Sequence, residues 1–457
     1  MKSLLKKLIP SSLLSAYHYY LARFAAFWYG HPSNKLIVIG ITGTKGKTTT
    51  ANFIWSVLNS NGLSCGLIGT ANIRLGQEER MNKYHMTMPG RFVTQKLLRE
   101  MVKKGCQYAV LEVTSEGVKQ WRHQGINYDM AIFTNLTPEH LPSHGGSFEE
   151  YKKAKGIFFA TLAERPSEER GSTQHSSANV RKYKIIKGIK IEKTIIANAD
   201  SPHADYFLNF RADKKITYSV EGHANYIAKS INSTDVGVEF FVNPTVYKIN
   251  ILGAFNVYNA MPAVIVGYEA ELGSEQIQKG LMSLKIIPGR MEKIEEGQDF
   301  TLLVDYAHEK ESMTAVLNTA KELIQKNAKI IILLGAEGGG RDKAKRPIMG
   351  ELSARMADYV IVSNVDPYED DPKPILEDIA TACENPPGCG YKVRGEKLFV
   401  IEDRRECIQK ALSLAKTGDV VLITGKGAEQ SITIGGKSSP WDDRLVVREE
   451  LKKVLEN

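Results

Sequence analysis

From residue 36 onward, short apolar runs alternate along the chain with longer stretches in which apolar residues recur every three to four positions. Short apolar runs bounded by turn residues predict buried strands, and the longer period predicts amphipathic helices. Strands are predicted at residues 36–40, 108–113, 129–134, 301–304, 329–334, 359–362 and 419–424. Strands that alternate with helices predict an α/β fold with parallel sheets, in which ligands bind at the carboxyl ends of the strands.

The N-terminal segment has a different pattern. Residues 1–35 interleave leucines and aromatic residues with Lys2, Lys6, Lys7 and Arg23, which predicts one or two amphipathic helices. A basic, aromatic-rich helix either packs against the body of the protein or lies on an anionic membrane surface. The segment has no uninterrupted apolar core followed by a cleavage site, so we do not expect a signal peptide.

Two further features divide the rest of the chain. Residues 165–193 are polar, basic and serine-rich, which predicts an inserted surface loop. A Pro-Gly turn at 288–289 comes just before the second series of strands and predicts a hinge. We therefore expect an N-terminal helical segment, a central domain and a C-terminal domain, at residues 1–35, 36–287 and 288–457.

Composition excludes several classes of protein. Of 457 residues, 42% are hydrophobic and 25% are charged, which is typical of a globular protein and not of a disordered one. No apolar run approaches the roughly 20 residues that a membrane-spanning helix needs. The five cysteines include no Cys-x-x-Cys pair, so we expect reduced thiols and a cytoplasmic location. The net charge of +8 is spread without a basic and aromatic repeat, so no nucleic-acid partner is expected.

A glycine-rich loop is the strongest chemical motif. Residues 43–49 read Gly-Thr-Lys-Gly-Lys-Thr-Thr, follow a predicted strand and open a predicted helix. In such a loop the backbone N–H groups surround phosphates, the lysine neutralises their charge and the hydroxyl binds Mg²⁺. The predicted nucleotide-binding residues are Gly43, Thr44, Lys45, Gly46, Lys47, Thr48 and Thr49.

Two other strand ends carry candidate metal ligands. Glu112 ends one predicted strand, and His140 follows another in the run Asn-Leu-Thr-Pro-Glu-His. A carboxylate beside a phosphate-binding loop is a natural ligand for Mg²⁺, which prefers oxygen. Taken singly, a glutamate or histidine at a strand end is more often structural than a ligand, because strand ends often carry polar residues that bind nothing.

Several motifs in order resemble the Mur ligase family, the ATP-dependent enzymes that add amino acids to the peptidoglycan precursor. They are Thr-Gly-Thr-Lys-Gly-Lys-Thr from residue 42, Glu-Val-Thr-Ser from 112, Asn-Leu-Thr-Pro-Glu-His from 135 and Tyr-Lys-Lys-Ala-Lys from 151. The spacing from His140 to Lys155 also matches the family. The resemblance implies a central phosphate-loop ATPase domain and a C-terminal Rossmann-like domain that carries the incoming amino acid.

The resemblance also implies a role for each matching residue. Lys47, His140 and Lys155 would be catalytic, and Lys155 would be carbamylated by CO₂. The metal ligands would be Thr48, Glu112, His140 and Lys155. ATP would also contact Asn256, Asn259, Arg290 and Asp305. The substrates would contact Thr87, Ser115, Gln120, Arg122, His308, Arg341, Asp366, Gly425 and Glu429.

Within the family, the C-terminal half resembles the synthetases that add diaminopimelate or lysine to UDP-N-acetylmuramoyl-L-alanyl-D-glutamate. The implied reaction uses ATP and Mg²⁺ and passes through an acyl phosphate, and the implied enzyme is a monomer. Diaminopimelate-adding members read Asp-Asn-Pro-Arg where this chain reads Val-Asp-Pro-Tyr at 365–368. A tyrosine cannot make the bidentate salt bridge of arginine, so the sequence leaves open which amino acid is added.

Other interpretations remain open. Members of this subfamily carry a uridine-binding domain before the phosphate loop, where this chain has the helical segment, so the acceptor would be UDP-linked or lipid-linked. An amidating subunit that acts on lipid-linked precursor is one alternative. Folylpolyglutamate synthetase shares the ATPase core but lacks the Gly-Gly-Gly-Arg segment at 338–341. A nucleotide-binding regulator without catalysis is a third.

Overall fold

The computed structural model describes residues 11–82, 84, 86–139, 141–163, 184–388 and 390–456. His140 therefore lies outside the described residues. The chain forms two compact units. The first contains the described residues up to 230 together with 240–248 and 257–284, and the second contains 231–239, 249–256 and the described residues from 285 onward.

The first unit is built on a nine-stranded sheet among the described residues. In sheet order its strands are Tyr226–Ile227, Lys214–Ser219, Thr194–Asn198, Met130–Phe133, Ile37–Thr42, Tyr108–Glu112, Cys65–Ile68, Asn72–Leu75 and Glu78–Met81. All neighbouring pairs are parallel except the last two, which are antiparallel. The central strand Ile37–Thr42 is buried on both faces, as expected for a parallel sheet covered by helices.

Helices cover this sheet. They are Ser11–Trp28, Lys47–Asn59, Arg91–Lys103, Ser115–Lys119, Phe148–Ala160, Ala204–Leu208, Asn256–Glu269 and Ser274–Ser283, with 3₁₀ turns at Pro32–Lys35, Leu141–His144 and Thr161–Ala163. The helix after the phosphate loop buries Phe53, Ile54, Val57 and Leu58 completely. The core beneath the sheet is rich in aromatic residues, with the rings of Phe133 and Phe207 stacked at 4.0 Å.

The second unit has a six-stranded sheet between two layers of helices. In sheet order the strands are Glu292–Ile294, Thr301–Asp305, Val420–Thr424, Ile330–Leu334, Tyr359–Val362 and Leu398–Val400. The helices are Lys310–Leu323, Lys345–Met356, Pro372–Glu384, Arg404–Leu414 and Asp443–Leu455. Ile330, Ile332 and Leu334 join one hydrophobic cluster while Ile331 and Leu333 join another, because alternate side chains of a strand point to opposite faces.

Small sheets complete the described structure. Three strands, Lys229–Ser233, Val238–Val242 and Thr245–Ile249, form one sheet. Two hairpins pair Lys184–Ile186 with Ile189–Ile191 and Ser431–Ile434 with Lys437–Pro440.

The seven strands predicted from the sequence all form, each within two residues of its predicted ends. The surface loop predicted at 165–193 is wrong for the part that the structure describes. Residues 184–191 form a hairpin, and Lys184 and Lys193 are buried with their ammonium groups 2.5 and 2.9 Å from Asp129. A buried carboxylate needs such partners, and Asp129 therefore anchors the end of this segment.

The N-terminal segment forms the helix Ser11–Trp28 and the 3₁₀ turn Pro32–Lys35. Its small residues Ala22, Ala25 and Ala26 are buried. Among the described helices, none is both long enough and apolar enough to cross a membrane.

Candidate active site

The phosphate-binding loop joins the central strand of the first unit to the helix Lys47–Asn59. Gly46 immediately precedes this helix with φ 82°, a left-handed conformation that favours glycine. A Cβ atom at Gly46 would lie 2.1 Å from the Asn259 Oδ1 atom, and one at Gly43 would lie 1.9 Å from the Thr134 Oγ1 atom. The loop therefore needs glycine at both positions, and Asn259, predicted to contact adenine, lies beside it.

Positive charge gathers at this loop. The Lys47 ammonium donates hydrogen bonds to the carbonyls of Gly43, at 3.0 Å, and Thr44, at 2.8 Å. Lys45 forms an ion pair of 3.2 Å with Glu139. These lysines and the N-terminal end of the helix Lys47–Asn59 suit an anion such as a nucleotide phosphate.

The predicted metal ligands Thr48 and Glu112 are in contact. The Glu112 carboxylate is buried and accepts hydrogen bonds from the Thr48 hydroxyl at 3.0 Å, the Thr70 hydroxyl at 2.8 Å and the Thr70 backbone N–H at 2.7 Å. Strand Tyr108–Glu112 pairs with Ile37–Thr42 in parallel, with Ile41 opposite Glu112. A hydroxyl and a carboxylate oxygen are the ligand types that Mg²⁺ prefers, so these residues fit the ion.

Lys155 lies on the helix Phe148–Ala160, which Ser147 caps. The side chain is buried, and its amine donates a 2.8 Å hydrogen bond to the carbonyl of Gly43. Burial, reinforced by the charge of Lys47, holds the pKa of Lys155 well below its ordinary value. Burial therefore favours the neutral, nucleophilic form of this amine. Lys155 is therefore not an ordinary exposed helix lysine.

The predicted substrate residues of the first unit make three separate contacts. The Thr87 hydroxyl lies 3.0 Å from the Thr70 hydroxyl, which places Thr87 beside Glu112. The Arg122 guanidinium donates to the side chain of Gln120 at 2.7 Å. The Ser115 hydroxyl is 3.1 Å from the His144 ring nitrogen Nε2.

In the second unit, three predicted residues share one network. The Arg290 guanidinium stacks 4.3 Å from the centre of the Tyr306 ring, and the Tyr306 hydroxyl donates to Glu429 at 3.1 Å. The Lys426 ammonium donates to both Glu429 and Asp366 at 2.7 Å. Burial favours the neutral amine of Lys426, but the two carboxylates outweigh it and raise its pKa.

The other predicted residues of this unit have separate surroundings. Asp305 accepts hydrogen bonds of 2.7 Å from the backbone N–H groups of Met291 and Ala307. The backbone N–H of Gly425 donates to the carbonyl of Asp305. His308 Nδ1 is 2.6 Å from the Tyr306 carbonyl.

The remaining two predicted residues differ in exposure. Arg341 is exposed, whereas Asn256 is buried and its side-chain amide donates to the Leu252 carbonyl at 2.7 Å.

Sequence reasoning missed several residues at both sites. Thr70 bridges Glu112 and Thr87, and the Tyr151 hydroxyl is 3.1 Å from the Thr44 hydroxyl. Lys426 is the centre of the network in the second unit. Thr70 follows the strand Cys65–Ile68, which is only four residues long and was not predicted, so no signal in the sequence pointed to Thr70. Lys426 lies in the sequence between Gly425 and Glu429, two residues that the family resemblance assigned to substrate contact.

Comparison with known proteins decides the family. The Mur ligase middle domain matches residues 41–167 and 176–267, and the Mur ligase glutamate ligase domain matches residues 289–427. The chain is 34% identical over 449 residues to the UDP-N-acetylmuramoyl-L-alanyl-D-glutamate–2,6-diaminopimelate ligase of Geobacillus kaustophilus, which spans 97% of this chain and 85% of the relative. The chain belongs to the Mur ligase family.

Further Mur ligases are similar at the same level. The UDP-N-acetylmuramyl-tripeptide synthetase of a Roseiflexus species is 35% identical over 442 residues, which is 95% of this chain and 82% of the relative. The solved structure of a UDP-N-acetylmuramoyl-L-alanyl-D-glutamate–2,6-diaminopimelate ligase has a TM-score of 0.58 and 27% identity, covering 92% of this chain and 79% of that one.

A more distant structure supports the fold alone. The folylpolyglutamate synthase of Mycobacterium tuberculosis has a TM-score of 0.64 at 16% identity, covering 88% of this chain and 91% of that one. The predicted α/β fold class, with an ATPase domain followed by a second α/β domain, is thereby confirmed.

Proposed function

We propose that this Mur ligase joins meso-diaminopimelate or L-lysine to UDP-N-acetylmuramoyl-L-alanyl-D-glutamate, forming an amide bond and releasing ADP and phosphate. The observation that carries the proposal is the buried Glu112 carboxylate bonded to Thr48 of the phosphate loop, in a chain 34% identical along 97% of its length to a ligase of that name. Residues 36–287 would bind ATP, and residues 288–457 would bind the incoming amino acid.

The first step of the proposed mechanism joins two negatively charged groups, the acceptor carboxylate and the γ-phosphate of ATP. An oxygen of the acceptor carboxylate attacks the γ-phosphorus of ATP, and ADP leaves with the electron pair of the broken bond. Two anions must approach each other, and Lys47 would reduce their repulsion. Thr48 and Glu112 would hold Mg²⁺, which neutralises phosphate charge when bound. The amine then attacks the acyl carbon, phosphate leaves and the nitrogen loses a proton to form the amide.

Lys155 would carry a carbamate. Burial lowers the pKa of Lys155 and so favours its neutral amine, which can add to the carbon of CO₂, form a C–N bond and release a proton. The product is a negative group at the Gly43 end of the phosphate loop, where it would balance Lys47. His140 would stand with these residues as a ligand, as the family resemblance implies.

Substrate contacts would divide between the two units. Ser115, Gln120, Arg122 and Thr87 would bind the acceptor. Arg290 and Asp305 would bind ATP. The network of Glu429 and Lys426 would orient the incoming amino acid, with the amine of that amino acid directed to the Glu429 carboxylate.

The test is phosphate release by the purified chain with Mg-ATP and UDP-N-acetylmuramoyl-L-alanyl-D-glutamate. Parallel reactions contain meso-diaminopimelate, L-lysine or no amine, and mass spectrometry identifies the product. We expect a tripeptide with one of the two amines and none after Lys47→Ala, while the exposed-lysine control Lys96→Ala keeps the parent rate. Absence of product with both amines would reject the nucleotide-linked acceptor, and the assay would then use lipid-linked dipeptide.

A further inference from the structure

The N-terminal helix turns its large apolar side chains to solvent. We call six residues the aromatic stripe, with exposed fractions of 50–68%: Leu13, Tyr17, Tyr20, Phe24, Phe27 and Trp28. The steps between the first five alternate between four and three residues, which places them on one face of a helix. At 1.5 Å per residue the stripe, from Leu13 to Trp28, is about 22 Å long.

The opposite face attaches the helix to the first unit through small residues. Ala22, Ala25 and Ala26 are almost completely buried, and a Cβ atom at Gly125 would lie 2.8 Å from the Ala26 methyl group. The Trp121 indole donates a 2.8 Å hydrogen bond to the Ser15 hydroxyl. The helix is thus held with its small side chains inward. Because its large side chains stay in solvent, they do not gain the stabilising free energy of roughly 25 cal/mol per Å² that burial of apolar surface provides.

Charge indicates what covers the stripe. Residues 1–35 contain no aspartate or glutamate, and their five cations are Lys2, Lys6, Lys7, Arg23 and Lys35. Tyrosine and tryptophan concentrate at the boundary between lipid and water, and nearby cations are attracted to anionic headgroups. A second copy seated stripe to stripe would instead bring two sets of like charges together, which is unfavourable.

We propose that the aromatic stripe docks this protein on an anionic lipid surface, with the axis of the helix in the plane of the membrane. The side chains of the stripe enter the headgroup region and the basic residues of the segment pair with lipid phosphates. A helix of this kind lies on a membrane and does not span it. The proposal is independent of which acceptor the enzyme uses.

The experiment is flotation of the full chain with vesicles of phosphatidylcholine, with or without roughly one third phosphatidylglycerol. We expect flotation with the anionic vesicles only, and release at about 1 M salt, where the Debye length is about 3 Å. The triple variant Tyr20→Ser, Phe27→Ser, Trp28→Ser should bind at least roughly tenfold more weakly, because three aromatic side chains would no longer enter the headgroup region.

A matched control removes three exposed apolar residues elsewhere. They are Val236, Tyr391 and Leu445, with exposed fractions of 68%, 71% and 58%. Their serine variant should float like the parent and unfold at the same temperature as the stripe variant. Failure of the parent to float, or equal binding by the stripe variant, would overturn the proposal. A lipid-free dimer that the stripe variant abolishes would also overturn it in favour of a second copy.

A milder variant keeps the test independent of folding. Trp28→Phe preserves an aromatic side chain but removes one of the four tryptophans. Lipids with brominated chains should quench the tryptophan emission of the parent, and this quenching should largely disappear in Trp28→Phe. Unchanged quenching would place another tryptophan in the lipid and reject the proposed docking face.

Discussion

Glu112 shows what a single buried carboxylate requires. Its three hydrogen-bond donors, two hydroxyls and one amide of Thr48 and Thr70, are all electrically neutral. Removing a carboxylate from water costs several kcal/mol unless a positive charge or strong donors replace the water. A divalent cation at Glu112 would complete this compensation, and that need is the physical reason to expect Mg²⁺ here.

Replacing Glu112 by glutamine should therefore weaken catalysis more than it weakens the fold. Glu112→Gln keeps the size of the side chain but removes the charge that attracts the cation. We expect turnover to fall roughly hundredfold and the Mg²⁺ concentration for half-maximal rate to rise, since metal stabilisation of phosphate charge is worth several kcal/mol. Phosphate release titrated with Mg²⁺ measures both, and the exposed-residue control Glu150→Gln should match the parent. An unchanged Mg²⁺ requirement would remove Glu112 from the metal site.

A carbamate on Lys155 can be tested by replacing this lysine. Lys155→Met should abolish turnover, and Lys155→Arg should not restore it, because a guanidinium keeps its charge and forms no carbamate. Protein prepared with ¹³C-labelled bicarbonate should give a carbamate signal in the parent. The signal should vanish in Lys155→Met and persist in Lys153→Ala, a lysine exposed on the same helix. Full activity of Lys155→Arg would contradict the carbamate.

At the scale of elements, strand pairing brings the site residues together. Cys65–Ile68 and Ile37–Thr42 lie on either side of Tyr108–Glu112, so their carboxyl ends carry Thr70, the phosphate loop and Glu112 to one edge. The sequence predicted two of these strands from apolar runs but not Cys65–Ile68, which is only four residues long. Hydrophobic period identifies strands well, whereas the order of strands depends on contacts between distant segments. The Thr70–Glu112 contact was therefore outside the reach of sequence reasoning.

Two glycines with similar backbone conformations, Gly46 and Gly62, flank the helix Lys47–Asn59. Gly46 precedes it with φ 82° and Gly62 follows it with φ 80°, but only Gly46 has a neighbour within 4 Å of an added Cβ atom. Both alanine variants should lose about 1–2 kcal/mol of stability from the left-handed conformation. Only Gly46→Ala should also lose nucleotide affinity, because Asn259 would have to move.

Urea unfolding and titration with a fluorescent ATP analogue measure the two effects. Parent-like ATP affinity in Gly46→Ala would show that the loop tolerates a Cβ atom, contrary to this interpretation.

At the scale of the whole molecule, buried groups that titrate make stability depend on pH. His123 is buried, stacks against Trp121 at 5.9 Å, and neither ring nitrogen has a hydrogen-bond partner. Burial lowers its pKa from 6.5 to about 4. Below pH 6.5 the unfolded chain binds a proton that the folded chain does not accept until about pH 4, so stability falls as the pH falls through this window.

The expected loss is about 1.4 kcal/mol per pH unit within that window, and about 3 kcal/mol in total. His123→Phe removes the titrating group and should flatten this part of the acid limb. Urea unfolding of both proteins between pH 7 and pH 4 measures the difference, with His223→Phe as the control at an exposed histidine. Parallel pH profiles for parent and His123→Phe would show that His123 does not contribute.

The sequence by itself determined the α/β class, seven strands, the phosphate loop and the family, because apolar period and motif spacing are local properties of the chain. Only the tertiary structure decided the burial of Lys155, the contact of Thr70 with Glu112 and the attachment of Lys184 to Asp129. It also decided that the N-terminal helix packs through alanines and leaves its aromatic stripe in solvent. Burial and pairing depend on which distant segments meet, and no single segment carries that information.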